Sequence, residues 1–281
     1  MKNKNIKRII PLLDIKNGLV IKGINLEGLR ILAHAESLAS YYYNNGADEI
    51  CYIDNVATLY GTNNLTKFVS KTAKNIFIPL SVGGGIKNIS DIQKLFIAGA
   101  DKVCINSAII DDINFLDKAK KIFGSANISV IVQSICIDKK YYISKANGRD
   151  VIKTNPFDWA RTLEDNGAGE IILTSVNKEG LKKGFDYRIT SKISEALEIP
   201  VIAHGGAGSF NDIYKIFNQT KISGVALASF LHYDAINYLV KPKTIIGNTN
   251  YINNFKKKRT NKNLIKELKK FLFSKGISVR L

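Results

Sequence analysis

The chain repeats part of itself. Gly46-Ala47-Asp48-Glu49-Ile50 returns as Gly167-Ala168-Gly169-Glu170-Ile171, an offset of 121 residues. At the same offset Ile78-Pro79, Gly84-Gly85, Asp91-Ile92 and Lys94 return as Ile199-Pro200, Gly205-Gly206, Asp212-Ile213 and Lys215. Ser107 finds Ser229 at 122. Two similar halves are implied, each supplying about four βα units.

The pattern between the repeats agrees. Apolar strand candidates are Ile9–Asp14, Glu49–Asp54, Phe77–Ser81, Lys102–Asn106, Ile128–Asp138, Glu170–Thr174, Pro200–Ala203 and Gly224–Ala228. Between most of them lie segments of helical period, including Ser90–Ala98, Asn114–Ile122, Pro156–Asn166 and Asp186–Leu197. Near-continuous apolar strands alternating with helices indicate a parallel sheet covered on its outside. Eight such units in roughly 240 residues match an α/β fold of the (β/α)8 TIM-barrel type, built from two half-barrels. A doubly wound sheet is the alternative arrangement. One domain over residues 1–281 is expected, with an insertion at about 233–260 and a C-terminal helix at about 262–275.

Composition narrows the function. The chain is 45% hydrophobic with five prolines, as a protein with a sizeable core requires. Its longest apolar runs are about five to eight residues, far below the roughly 18 needed to span a bilayer. Asp14 interrupts the N-terminal apolar stretch too early for a signal peptide. Cys51, Cys104 and Cys136 form no CxxC pair, which fits buried thiols in a reducing cytoplasm rather than disulfides or a metal site. Lysines and arginines (41) exceed acids (24) by 17, but the excess is spread along the chain apart from Lys256–Arg259 and Lys262–Lys270. No nucleic-acid-binding motif accompanies it, so an anionic small substrate or plain compositional drift, with Lys, Asn and Ile abundant throughout, accounts for it more readily than nucleic acid does.

The chemistry concentrates at strand ends. Two glycine clusters, Ser81-Val82-Gly83-Gly84-Gly85-Ile86 and Ala203-His204-Gly205-Gly206-Ala207-Gly208, each follow a strand and precede a helix. Glycine there lets backbone N–H groups approach an anion at a helix N-terminus. The next strand of each half ends in Asn106-Ser107 or Ala228-Ser229, adding a hydroxyl. Paired phosphate sites at Gly84, Gly85, Asn106 and Ser107, and at Gly205, Gly206, Ala228 and Ser229, imply a ligand with a phosphate at each end. Asp14 and Asp54 close the first two strands, at the rim where barrel chemistry sits. Asp138 closes the run Ile128–Ile137, and Asp138-Lys139-Lys140 echoes Asp14-Ile15-Lys16. Facing carboxylates at Asp14 and Asp138 form a candidate acid–base pair, with Lys22 beside Asp14. No metal site and no cofactor are expected.

These pieces resemble the cyclase subunit family of imidazole glycerol phosphate synthase. The matching segments include RIIPLLDIKNGLVIKG, GADEICYID, IPLSVGGGI, GADKVCINSA, GAGEIILTS, KGFD, IPVIAHGGAG and the closing KGISVRL. The resemblance implies that ammonia from a glutaminase partner at the N-terminal face crosses the barrel. It there attacks a bis-phosphorylated ribulosyl formimino aminoimidazole carboxamide nucleotide, yielding imidazole glycerol phosphate and aminoimidazole carboxamide ribonucleotide. It carries an acid–base role onto Asp14, and substrate contacts onto the glycine and serine clusters, Lys22, Asp54 and Gly180. It also implies a charged gate of Arg8, Glu49, Lys102 and Glu170.

Departures fall in the second half. Counting without gaps from Phe123-Gly124-Ser125 places Gln133 at the family's second catalytic position, whereas the end of the apolar run favours Asp138, the residue assigned here. The loop Asn177-Lys178-Glu179-Gly180-Leu181 differs from the usual Asp, Asp and Thr around the glycine, and His204 replaces a small residue. Two other readings follow: a paralogue forming an amidine on a sugar nucleotide in surface-polysaccharide synthesis, or a silent phosphate-binding scaffold.

Overall fold

A computed structural model describes residues 5–54, 65–240 and 263–281. The expected 233–260 insertion falls mostly, and Lys256–Arg259 wholly, outside the described residues. The strands in chain order are β1 (Arg8–Lys16), β2 (Leu19–Ile24), β3 (Glu27–His34), β4 (Ile50–Asp54), β5 (Leu80–Gly83), β6 (Lys102–Ile105), β7 (Ile128–Ile137), β8 (Lys140–Lys145), β9 (Asp150–Ile152), β10 (Glu170–Ser175), β11 (Val201–His204) and β12 (Gly224–Leu227).

Eight of these close into a ring in the order β1-β4-β5-β6-β7-β10-β11-β12 and back to β1, every neighbouring pair parallel. Closure is made by Arg8–Pro11 of β1 against Gly224–Leu227 of β12. This is a (β/α)8 barrel. Helices such as Ile89–Ile97, Pro156–Asp165 and Phe210–Gln219 connect the strands and bury one face each on the outside. Asn88, Asn155 and Ser209 cap them with side-chain oxygens, answering N–H groups that a helix start cannot satisfy internally. A further helix, Leu264–Ser274, buries Leu264, Leu268 and Leu272. Among the described residues no helix is long and apolar enough to cross a membrane.

The hydrophobic core is two nested layers. Outward-facing strand residues pack with the helices in one large cluster that includes Ile9, Leu13, Ile50, Val103, Val130, Ile171 and Val225. Inward-facing residues Ile10, Leu12, Cys51, Cys104, Ile131, Ile172, Ile202 and Ala226 form a second cluster inside the ring. Alternation along each strand separates the two sets, because successive side chains point to opposite faces.

Two additions decorate the ring, one in each half. After β1 the chain makes an antiparallel extension of β2 and β3, and after β7 it makes the same with β8 and β9. The sequence reading included neither. It also placed the third strand at Phe77–Ser81, but β5 begins at Leu80 and Phe77 is 82% exposed. An aromatic residue at a strand approach looks like a strand residue in sequence; here it lies before the ladder starts.

The inner cluster yields a stability expectation. Ile172 is buried in the centre of the ring, where neighbouring strands are hydrogen-bonded and cannot collapse inward. Ile172→Ala should lower unfolding free energy by about 3 kcal/mol, read in urea as a lower midpoint with an unchanged slope. A loss under about 1 kcal/mol would mean the centre is loosely packed.

Candidate active site at the barrel mouth

The inward positions of the ring are stacked in layers from its N-terminal to its C-terminal end. The bottom layer is charged: Arg8, Glu49, Lys102 and Glu170 meet at the N-terminal ends of their strands. Arg8 pairs with Glu49 at 2.9 Å and also with Glu170, while Lys102 Nζ lies 3.3 Å from Glu49 and 3.6 Å from Glu170. Each acid thus meets both cations. Ser129 Oγ donates to Glu170 at 2.9 Å, and Ser81 Oγ donates to Glu49. The apolar cluster forms the next layer. Two residues beyond Leu12, Cys51, Cys104, Ile131, Ile172, Ile202 and Ala226 come Asp14, Ile53, Asn106, Gln133, Thr174, His204 and Ala228, at the C-terminal mouth.

Asp14 is buried and lies 3.7 Å from Lys22 Nζ, on the neighbouring strand of the first extension. Lys22 is wholly buried and also pairs with Glu179, whose other oxygen accepts from the Leu26 N–H at 3.1 Å. One ammonium therefore joins two carboxylates, from the first strand and from the loop after β10. The sequence reading noted Glu179 only as a departure in its loop. Its spacing from Lys22, 157 residues, carried no signal that the two meet.

The two glycine clusters lie where expected, on opposite sides of one mouth. The first follows β5 and the second β11, four strands apart in a ring of eight. A cavity of about 290 Å³ opens at the first, lined by Asp54, Gly84, Gly85, Asn106, Ser107 and Gln133 among others. The second is a slot of about 10 Å³, lined by Glu179, Gly180, His204, Gly205, Gly206, Ala228 and Ser229 among others. Gly84 has φ +108°, and a Cβ there would sit 2.3 Å from the Asp54 carbonyl; at Gly206 it would sit 2.1 Å from the Gly184 carbonyl. Both turns therefore exclude side chains on steric grounds as well. Asn106 (φ −135°, ψ −84°) and Ala228 (φ −115°, ψ −92°) adopt nearly the same backbone before the helices that start at Ser107 and Ser229. The halves repeat in conformation, not merely in composition.

Asp138 is not brought to this mouth. It occupies the exposed turn between β7 and β8, with φ 49°, followed by Lys139 with φ 64°. The corresponding turn between β1 and β2 is Asn17 (φ 50°) and Gly18 (φ 74°). Asp138 thus matches Asn17, a residue suited to a left-handed hairpin turn, and not Asp14. Sheet register identifies the true counterpart. Asp14 stands opposite Ile53 and Gln133 opposite Thr174, and Ile53 and Thr174 are separated by the repeat offset of 121. On the other side, Ile10 stands opposite Ala226 and Ser129 opposite Cys104, which leads to the same pairing of Asp14 with Gln133. The apolar run continues past the mouth because β7 pairs with β8 for five rows, from Gln133 to Ile137, where β1 pairs with β2 for three. Its end therefore marks the hairpin tip. Gln133 Oε1 accepts from the Gly148 N–H at 3.1 Å, holding the β8–β9 turn against the cavity.

Two buried histidines lie close to Lys22. His204 Nδ1 is 3.1 Å from Thr174 Oγ1; burial pushes its pKa down from 6.5 to about 4, helped by Lys22 and opposed by Glu179. His232 is pushed down to about 3 by burial and then by Lys22. Its Nε2 donates to the Leu12 carbonyl at 3.0 Å, so Nδ1 accepts from Tyr42 Oη at 2.7 Å.

The fold and site define a class: a (β/α)8 barrel with two glycine turns facing each other across a mouth that holds a buried carboxylate, above a ring of opposite charges. The histidine biosynthesis protein family model matches residues 8–237. An imidazole glycerol phosphate synthase subunit HisF from Natranaerobius thermophilus is 36% identical over 98% of this chain and 99% of its own length. The subunit of that name from Campylobacter concisus is 38% identical over 98% of both chains. One from Bacillus cereus is 40% identical over 81% of this chain and 90% of its own. The chain belongs to the histidine biosynthesis protein family, alongside these HisF subunits.

Two expectations follow from the geometry. Both histidines have folded pKa values below the unfolded 6.5, so the unfolded chain binds more protons as pH falls from 6.5 towards 4. Stability from their neutral burial is present above pH 6.5 and is lost across that window, on the order of 3 kcal/mol for each. Denaturation at stepwise pH should show the decline, and His232→Gln should flatten it; a level profile in the unsubstituted chain would contradict neutral burial. Separately, Asp138→Asn should change neither turnover nor melting temperature, since its carboxylate is at an exposed turn; a tenfold rate loss would restore it to the site.

Proposed function

We propose that this chain is the ammonia-using cyclase subunit of imidazole glycerol phosphate synthase. Its substrate would be a bis-phosphorylated ribulosyl formimino aminoimidazole carboxamide nucleotide, and its products imidazole glycerol phosphate and aminoimidazole carboxamide ribonucleotide. The observation that carries the reading is the pair of anion cradles on one barrel mouth, with Asp14 on an inward position of β1. A ligand with a phosphate at each end would lie across the opening, its reacting centre above Asp14.

Ammonia would come from a glutaminase partner docked at the N-terminal face. Arg8, Glu49, Lys102 and Glu170 form the entry, and the apolar layer of Ile10, Leu12, Ile131, Ile172 and Ile202 lies beyond it. Neutral ammonia crosses such a layer readily, whereas ammonium would leave water without a partner. At the mouth Asp14 accepts and returns protons during attack and ring closure. Gln133 cannot serve as the opposite base, because a carboxamide only donates and accepts hydrogen bonds. Glu179, joined to Asp14 through Lys22, supplies the second carboxylate of the site. Asp54, Gly84, Gly85, Asn106 and Ser107 hold one phosphate end; Gly180, Gly205, Gly206, Ala228 and Ser229 hold the other.

The test is turnover with ammonium salt and the bis-phosphate nucleotide. The unsubstituted chain should consume it, and Asp14→Asn should lower kcat by at least about a hundredfold while leaving nucleotide affinity within about threefold. Absence of turnover at any ammonia concentration would overturn the reading.

A further inference from the structure

A concavity lined by cations lies beside the β7–β8–β9 extension and shares no lining residue with the cavity at the mouth. Its volume is about 400 Å³, and Lys139, Lys140, Lys153, Arg188 and Lys192 line it with Tyr141 and Tyr142. The five cations come from three places: the β7–β8 turn with the start of β8, the segment after β9, and the helix Tyr187–Ala196. No carboxylate is among the lining residues, and within the described residues none of the five makes an ion pair. Elsewhere in the molecule lysines such as Lys102, Lys121, Lys145 and Lys269 face an acid.

The walls are held in place rather than left to drift. Tyr141 Oη donates to the Asp186 carboxylate at 3.0 Å, tying β8 to the start of the helix. Arg188 lies 6.0 Å from the centre of the Tyr141 ring, and Lys192 Nζ lies 4.2 Å from that of Phe157. Both heads are thus oriented by aromatic faces. Like charges lining one concavity repel, and a bound anion relieves that repulsion while an arginine fork and lysine heads donate to its oxygens. The volume falls in the range of small-molecule sites, and the lining is concave rather than a stripe along the surface. A compact ligand with several negative charges fits this better than a long nucleic acid.

We propose that this cleft binds an oligophosphate, a chain of linked phosphates carrying three or more negative charges, at a site separate from the two cradles of the mouth. The occupant lies against β8, the middle strand of the extension. The turn after β8, at Ala146 and Asn147, lines the catalytic cavity.

Inorganic triphosphate is the probe. To keep the cradles from answering in its place, the titration uses the full chain carrying Ser107→Asp and Ser229→Asp, with folding checked by circular dichroism. Calorimetry should show one triphosphate per chain, with affinity falling as salt rises. Adding Arg188→Glu and Lys192→Glu should weaken binding at least tenfold. The control pair Lys94→Glu and Lys118→Glu, exposed lysines on other helices making the same change in net charge, should alter it less than twofold. No binding to the cradle-blocked chain, or equal weakening by the control pair, would overturn the proposal. So would a single-stranded oligonucleotide that displaces triphosphate and binds more tightly per phosphate, since the cleft would then belong to a nucleic-acid track. A chain that binds triphosphate here but never turns over the nucleotide would sink the proposed function and leave this site standing.

Discussion

Ring closure is the constraint on which the rest depends. When β12 hydrogen-bonds to β1, every strand of the ring has two neighbours within it, and its residues divide into those facing the helices and those facing the axis. The axis then becomes a column with an order: a charged floor, an apolar middle and a polar mouth. Each level follows from counting by two along the strands. Arg8, Ile10, Leu12 and Asp14 occupy the levels on β1, and Ser129, Ile131 and Gln133 do so on β7. A register shift of one residue would turn the charges outward and the helix-facing isoleucines inward, so the hydrophobic effect that covers the barrel also aligns its chemistry.

Lys22 is the hinge of the site's electrostatics. A wholly buried ammonium is costly unless paired, and here it has Asp14 on one side and Glu179 on the other. That arrangement fastens the first extension to the loop after β10, where Asn25 N–H also donates to the Glu179 carbonyl at 3.0 Å. It also accompanies the main difference in space between the two halves, which are similar in backbone. The turn after β5 opens onto a cavity; the slot at the turn after β11 is narrow and is lined by Glu179 and Gly180 of the loop that reaches Lys22. Burial holds the pKa values of His204 and His232 down, and the nearby Lys22 ammonium adds to that effect.

The barrel and its two glycine turns were legible because they depend on short, local patterns. Apolar runs, helical periods and glycines before helices each declare themselves within ten residues, and the repeat ties distant copies together. Asp138 shows where such reading stops. An apolar run that continues past the mouth looks the same in sequence whether it belongs to the barrel or to an outer hairpin. Only the ladder to β8 reveals that its last residues left the ring. The ungapped count to Gln133 agrees with the register; the resemblance to the Asp14 neighbourhood was a likeness between a strand end and a turn.

The amino-acid sequence by itself determined the periodicities, and through them the eight-unit barrel, its two-fold repeat, the two glycine turns and the place of Asp14 at the end of the first strand. The tertiary structure alone decided which residue stands opposite Asp14, that Glu179 reaches Lys22, and that five cations gather beside the second extension. The physical reason is range. Alternation and turn geometry act between residues a few positions apart, whereas the meeting of Lys22 with Glu179 depends on how a closed ring folds its loops over one opening.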